Sequence, residues 1–135
     1  MSRHYKLAAI LPLAALLCSS PSVAGDENKQ GETHLAKTLA GRVADKPVDC
    51  VSMHELKSST IIDGTAIVYQ AGSTLYVNRP RSGVESLDTD DILVANVPSS
   101  RLCRLDSVRL VNRTTRIYIG SVTLDQFVPY RRAPH

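Results

Sequence analysis

The stretch STIIDGTAIVYQAGSTLYVN, residues 59–78, contains the strongest strand and turn signals of the chain. Three apolar runs lie in it, at residues 60–62, 65–69 and 74–78. Asp63-Gly64 separates the first two, and Asp-Gly tolerates the positive φ angles of a two-residue hairpin turn. Because the runs are rich in the β-branched residues that favour strands, they predict an antiparallel meander of three strands. Alternation along the third strand places Leu75 and Val77 on the core side and Tyr76 on the other face.

Shorter elements flank the meander. The i,i+4 spacing of Leu35 and Leu39 predicts a short helix over residues 33–40. The other predicted elements are a connector at residues 42–49, an apolar segment of undecided type at 92–94, one helical turn at 102–105, hairpin strands at 107–111 and 115–119, and a last apolar element before Pro129. Together they predict an α+β, mostly β fold: a small antiparallel sheet or partly open barrel of five to six strands with a short N-terminal helix.

Residues 1–24 have the features of an export signal. Arg3 and Lys6 precede an apolar stretch, and Ser22 and Ala24 supply the small residues at −3 and −1 of a cleavage point after Ala24. The stretch ends before it reaches the roughly 20 apolar residues that a membrane-spanning helix needs. We therefore expect cleavage and export to the periplasm.

Cys18 raises a competing interpretation, because bacterial lipoproteins carry a lipidated cysteine directly after such a signal. Those signals have a small residue immediately before the cysteine, whereas this chain has Leu17. We therefore assign Cys18 to the discarded segment and keep the lipid anchor as the alternative.

The remaining chain has the size of one domain. Residues 25–32 are polar and predict a flexible leader, residues 33–130 a single globular domain, and residues 131–135 a loose tail. The full chain of 135 residues has 16 Lys+Arg against 13 Asp+Glu and a net charge of +3, of which two positive charges lie in residues 1–24. So small a surplus gives no argument for nucleic acid, and the length excludes a multi-domain enzyme.

Two of the three cysteines, Cys50 and Cys103, lie in the exported part. A lone pair of cysteines in an oxidising compartment normally closes a disulfide. Zinc is the alternative, but the pair lacks the Cys-x-x-Cys spacing and a nearby histidine pair. We therefore predict a structural disulfide between Cys50 and Cys103.

Catalytic and metal-binding patterns are incomplete in this sequence. His54-Glu55 begins the zinc-protease pattern His-Glu-x-x-His, but Ser58 stands where the second histidine belongs. Residues 88–91, Asp-Thr-Asp-Asp, lack the Gly and Glu of an EF-hand loop and are explained as a turn or cap. The sequence has no Gly-x-Ser-x-Gly elbow and no phosphate-binding glycine loop. We assign no catalytic, cofactor-binding or metal-binding residue.

The last 35 residues are basic, with seven arginines and only two acidic residues. Alternation within the predicted hairpin places Arg109 and Arg116 on the solvent face, away from Ile117 and Ile119, with Tyr118 on the side of Arg116. Arginine pairs with phosphate and carboxylate groups, and both Arg and Tyr are enriched at interfaces. Arg109, Arg116 and Tyr118 are therefore the candidate surface binding residues, and an ordinary solvated face is the alternative.

Four segments carry a family resemblance: Val48-Asp49-Cys50-Val51, Ile67-Val68-Tyr69 with Leu75-Tyr76-Val77-Asn78, Arg101-Leu102-Cys103-Arg104-Leu105-Asp106, and Leu124-Asp125-Gln126-Phe127-Val128-Pro129-Tyr130. In these the chain resembles a class of small exported proteobacterial proteins of unknown function, with paired cysteines and a mostly β domain. Members often carry further cysteines in the middle and near the end, which this chain lacks. The resemblance implies no activity.

These observations predict an exported periplasmic module that binds rather than catalyses. Its partner would be an envelope protein or an anionic envelope component, and nucleic acid is not expected. Two alternatives come from other classes. One is a small exported hydrolase around His54, and the other is an inhibitor of an exported enzyme that acts through an exposed loop at residues 79–83.

Overall fold

A computed structural model describes residues 24–135 of the chain. Within this range one helix, α1 (Ala24–Thr38), precedes ten strands, with a 3-10 turn at Val84–Ser86. The strands are β1 (Arg42–Ala44), β2 (Cys50–Ser52), β3 (Ser58–Ile62), β4 (Ala66–Ala71), β5 (Thr74–Asn78), β6 (Asp91–Ala95), β7 (Arg101–Cys103), β8 (Ser107–Asn112), β9 (Tyr118–Thr123) and β10 (Phe127–Arg132). The predicted fold class, mostly β with a short N-terminal helix, is confirmed.

The strands form three antiparallel sheets. The largest has the order β1-β10-β5-β4-β3, a second joins β2 to β7, and the third has the order β6-β8-β9. The sheets do not close on one another. The strands outnumber the predicted five to six because β1, β2 and β7 have only three residues each, too few for an alternation pattern to be visible in the sequence.

The predicted meander is present as β3, β4 and β5. Three residues, 63–65, join β3 to β4 instead of the predicted two, and Ile62 pairs with Ala66 across them. Gly64 takes a left-handed conformation with φ 56, whereas Asp63 does not. A two-residue turn of the type I′ kind needs the left-handed conformation at both positions, whereas a three-residue loop needs it at one only. Gly64 supplies that one position, so the loop has three residues.

The large sheet separates two apolar clusters. On one side, α1 contributes Leu35 to a small cluster with Val68 and Val77, against which Leu75 also packs. On the other side lies the main core, which contains Ile67 and the fully buried Phe127. Leu75 and Val77 share a core face as predicted, but Tyr76 packs against the main core on the opposite face. Burial on both faces explains the uninterrupted apolar run of β4.

The helix begins earlier than predicted. It starts at Ala24 rather than residue 33, so residues 25–32, predicted as a flexible leader, are helical. Contacts distant in sequence hold this part of α1. Gly31 packs against the β3–β4 turn, and both carboxylate oxygens of Glu32 accept hydrogen bonds from the Arg79 guanidinium, at 2.6 and 3.0 Å.

Two further local predictions need correction, and the segment of undecided type can be assigned. Residues 102–105 do not form a helical turn, because Leu102 lies in β7 opposite Val51 of β2, and Leu105 has a left-handed φ of 73. The segment of undecided type is a strand, β6. The last strand, β10, does not end before Pro129 but runs through it to Arg132, two residues into the predicted tail.

The disulfide prediction is confirmed. Cys50 and Cys103 are direct partners in the β2–β7 ladder, their Cα atoms are 4.0 Å apart, and their sulfur atoms are bonded. The bridge joins positions 53 residues apart in sequence. It therefore fixes the pairing of two strands that are each only three residues long.

The predicted export signal and Cys18 lie outside the described residues, except for Ala24. Among residues 24–135, no helix combines the length and the apolar character that crossing a membrane requires.

Candidate binding face

The three-stranded sheet positions the predicted binding residues. Val108 and Leu110 of β8 point inward and are fully buried, so Arg109 between them points outward and is exposed. Val94 of β6 is the direct partner of Arg109 and lies on the same outer side. The prediction that Arg109 faces solvent is confirmed.

Arg109 and Tyr118 are in contact. The guanidinium carbon of Arg109 lies 4.9 Å from the centre of the Tyr118 ring. Such a cation–π contact places the guanidinium over the ring while its N–H groups can still donate hydrogen bonds. A break in register between Leu110 and Val111 makes Tyr118 the partner of Val111 and so brings it beside Arg109.

Arg116 does not lie in a strand, although the alternation pattern predicts that it does. It belongs to the turn between β8 and β9, with a left-handed φ of 62, and not to a strand. The side-chain oxygen of Asn112 shapes this turn by accepting hydrogen bonds from the backbone N–H groups of Thr114 and Thr115, at 3.1 and 2.9 Å. Arg116 is exposed, but its strand assignment is wrong because the connection is longer than predicted.

Ile117, Tyr118 and Ile119 are three consecutive exposed apolar side chains. Their exposed fractions are 61%, 52% and 51%. The prediction that Ile117 and Ile119 face the core is therefore wrong. Ile117 precedes β9 and lies in the turn, and the break in register interrupts the alternation next to Ile119. Runs of this kind on a surface are unusual unless another surface covers them.

We give the name Arg–Tyr face to the exposed side chains of Val94, Arg109, Arg116, Ile117, Tyr118 and Ile119 taken together. Its residues 117–119 lie at or beside a sheet edge, because β9 pairs only with β8 within the three-stranded sheet. The far end of that edge is closed, since Thr123 bridges to Ser82. The near end, at residues 117–119, has no neighbouring strand among the described residues. An exposed edge with apolar side chains is a surface on which another molecule can dock.

The charges on the hairpin are uncompensated. Arg109, Arg113 and Arg116 take part in none of the salt bridges within residues 24–135. By contrast, Arg104 is 3.1 Å from the carboxylate of Asp125. The Arg–Tyr face and its turn therefore combine free cationic groups with exposed apolar area.

The surroundings of His54 give no support to the alternative of a small hydrolase around this residue. His54 is exposed in the turn that follows β2, and its side chain has no hydrogen-bond partner within the described residues. No cluster of three or more His, Cys, Asp or Glu side chains suited to a metal ion occurs in that part of the chain.

The acidic segment at residues 88–91 serves the local structure. Asp63 accepts hydrogen bonds from the backbone N–H and hydroxyl of Thr89, at 2.6 and 2.5 Å, and Asp88 accepts one from the Asp90 N–H at 2.8 Å. A cleft of about 780 Å³ lies beside these turns and α1. Its carboxylates from Asp63 and Asp88 are thus already engaged, as the turn interpretation predicts.

The loop at residues 79–83, the basis of the inhibitor alternative, is held against the body of the protein. Arg79 is bonded to Glu32 of α1, Pro80 is buried, and the Arg81 N–H donates to the Thr123 carbonyl at 2.8 Å. Gly83 has φ 78 and lies so close to β9 that an added Cβ would be 3.2 Å from the Val122 Cα. The loop does not project as an inhibitory loop would.

Comparison with protein-family models, curated proteins and solved structures found no match to this chain.

Proposed function

We propose that this protein is an exported, non-catalytic binding module that attaches to an anionic component of the cell envelope through the Arg–Tyr face. The observation that carries the proposal is the run of Ile117, Tyr118 and Ile119, each more than half exposed, beside the Arg109 guanidinium. Covering this run removes apolar area from water, and the arginines supply the charge that selects an anion.

Export is supported by two features. The sequence of residues 1–24 has the pattern of a signal peptide, and the Cys50–Cys103 disulfide belongs to an oxidising compartment. A periplasmic protein meets membrane phosphates, acidic glycans and envelope proteins, all of which carry anionic groups. Arg109 and Arg116 match that chemistry, because a guanidinium donates two parallel hydrogen bonds to a phosphate or carboxylate.

Retention on isolated cell envelopes tests the proposal. We expect the purified protein to sediment with envelopes at low salt, and the Arg109→Ser/Arg116→Ser variant to sediment several-fold less. The difference in retention between the variant and the original protein should shrink as salt rises, because surface charge interactions are screened. The matched control, Lys46→Ser/Arg132→Ser, removes the same charge from exposed positions outside the Arg–Tyr face, in the connection after β1 and at the end of β10, and should be retained like the original protein. Equal retention of the two double variants at low salt would reject the Arg–Tyr face as the attachment surface.

A further inference from the structure

A second surface of the molecule is an apolar groove between two sheets. β3 is the outermost strand of the five-stranded sheet and β6 the outermost strand of the three-stranded one, and no backbone pairing joins them. A groove of about 420 Å³ lies between these strands and is open to solvent. That volume is within the roughly 300–1,000 Å³ typical of small-molecule sites. The apolar part of its lining comprises Met53, Leu56, Tyr69, Leu93, Val94, Ala95, Leu102 and Val108.

The groove is lined by a tyrosine whose hydroxyl group lacks a partner. Tyr69 is 5% exposed, its ring packs at a centroid distance of 5.9 Å from Phe127, and its hydroxyl oxygen is the buried side-chain polar atom of residues 24–135 that has no hydrogen bond. Buried tyrosine hydroxyls normally find a partner, because leaving one unpaired is costly. Burial also raises the pKa of Tyr69 well above its ordinary value, so the hydroxyl remains a donor at every physiological pH.

The groove carries one charged residue, Lys57, which is exposed and belongs to none of the salt bridges of the described part of the chain. Lys57 directly precedes β3, and its N–H donates to the Gln70 carbonyl at 2.8 Å, next to Tyr69 in β4. The backbone at this position is therefore fixed, while the ammonium group is free. An apolar wall, a hydroxyl donor and a single cation together specify a ligand with an apolar body and an anionic head.

We propose that the groove binds a medium-chain fatty acid. The acyl chain lies along Leu93, Leu102 and Val108, and the carboxylate accepts a hydrogen bond from the Tyr69 hydroxyl and pairs with the Lys57 ammonium. Because the Tyr69 hydroxyl is covered in the free protein, the half-buried Met53 and Leu56 shift to admit the head group. The groove shares Val94 with the Arg–Tyr face, and the proposal does not rest on the function proposed for that face.

Calorimetric titration with dodecanoate, below its critical micelle concentration, tests this proposal. We expect saturable one-to-one binding, and about tenfold weaker binding by Tyr69→Phe and by Lys57→Gln, as loss of a hydrogen bond to a charged group predicts. Lys46→Gln, which removes an exposed lysine outside the groove, should bind as the original protein does. Dodecyltrimethylammonium has the same chain with a cationic head and should not bind.

Several results would overturn the proposal. They are absence of dodecanoate binding, unchanged affinity in either groove variant, and equal binding of the cationic amphiphile.

A competing occupant of the groove is a second copy of this chain, since β3 and β6 both present unpaired edges. Dimerisation that Ser59→Trp abolishes and dodecanoate leaves unaffected would assign the groove to that contact instead. The melting temperature of each variant confirms that the protein tested is folded.

Discussion

At Tyr69 a hydroxyl group is buried in an otherwise apolar core without a hydrogen-bond partner. An unpaired buried polar group of this kind costs about 1–3 kcal/mol. We therefore expect Tyr69→Phe to raise the free energy of unfolding by about 1 kcal/mol, since the ring remains and only the unpaired group is lost. Urea denaturation measures this change. Tyr76→Phe is the control, because Tyr76 is half-buried and its hydroxyl is not a buried group without a hydrogen-bond partner. A destabilised Tyr69→Phe would show that the hydroxyl has a stabilising role in the free protein.

Asp91, the first residue of β6, makes the stability of the protein depend on pH. It is 5% exposed, and burial, followed by the nearby carboxylates of Asp88 and Asp90, raises its pKa. A carboxyl group with a raised folded-state pKa stabilises the fold fully below its unfolded pKa of about 3.9 and loses that contribution as pH rises through the folded value.

Asp91→Asn should therefore have a higher melting temperature than the original protein at pH 7. The difference should shrink as pH falls and become smallest well below about 3.9, where Asp91 is protonated in both the folded and the unfolded state. Thermal melting across this pH range measures the effect, and Glu55→Gln, at an exposed position outside the salt bridges of residues 24–135, is the control. A difference that grows on acidification would contradict the account of Asp91.

Among the elements, α1 shows how a contact distant in sequence can override a local preference. A Cβ at Gly31 would lie 2.8 Å from the Asp63 carbonyl oxygen, which belongs to the backbone and cannot rotate away. Alanine favours a helix interior by about 1 kcal/mol over glycine. We nevertheless expect Gly31→Ala to lower the melting temperature, because α1 must move off the β3–β4 turn.

Thermal melting of Gly31→Ala should be compared with that of Ala36→Gly, an exposed site on the same helix, which reports helix propensity alone. The two variants should both melt below the original protein. If Gly31→Ala melts higher instead, α1 does not pack on the turn as described.

The elements also show what could be predicted from the sequence. The β3–β5 meander was predictable because its apolar runs and glycine turns are local signals. The strands β2 and β7 were not, because each is stabilised by its partner and by the Cys50–Cys103 bridge. In the site, the outward direction of Arg109 followed from alternation. The break in register that exposes Ile119 had no sequence signal of its own, and neither did the groove at Tyr69, whose lining comes from separate sheets.

For the molecule as a whole, the disulfide is the principal covalent constraint. It closes a loop between residues 53 positions apart, and on the chain-entropy model such a loop contributes roughly 4 kcal/mol. Small domains have total stabilities of about 5–15 kcal/mol. Cys50→Ser and Cys103→Ser should therefore each lower the melting temperature sharply, by a similar amount, and the double variant should lose little more. Two reactive thiols in the native exported protein would contradict this prediction.

The proposed attachment to the envelope through the Arg–Tyr face depends on the apolar run at residues 117–119. The most direct test of it is retention on isolated envelopes of the triple variant Ile117→Ser/Tyr118→Ser/Ile119→Ser. Because all three side chains are more than half exposed, the variant should fold and melt close to the original protein. We predict that it is lost from the envelope fraction at low and high salt alike, since the apolar contact is removed. Retention equal to that of the original protein would contradict the proposed function.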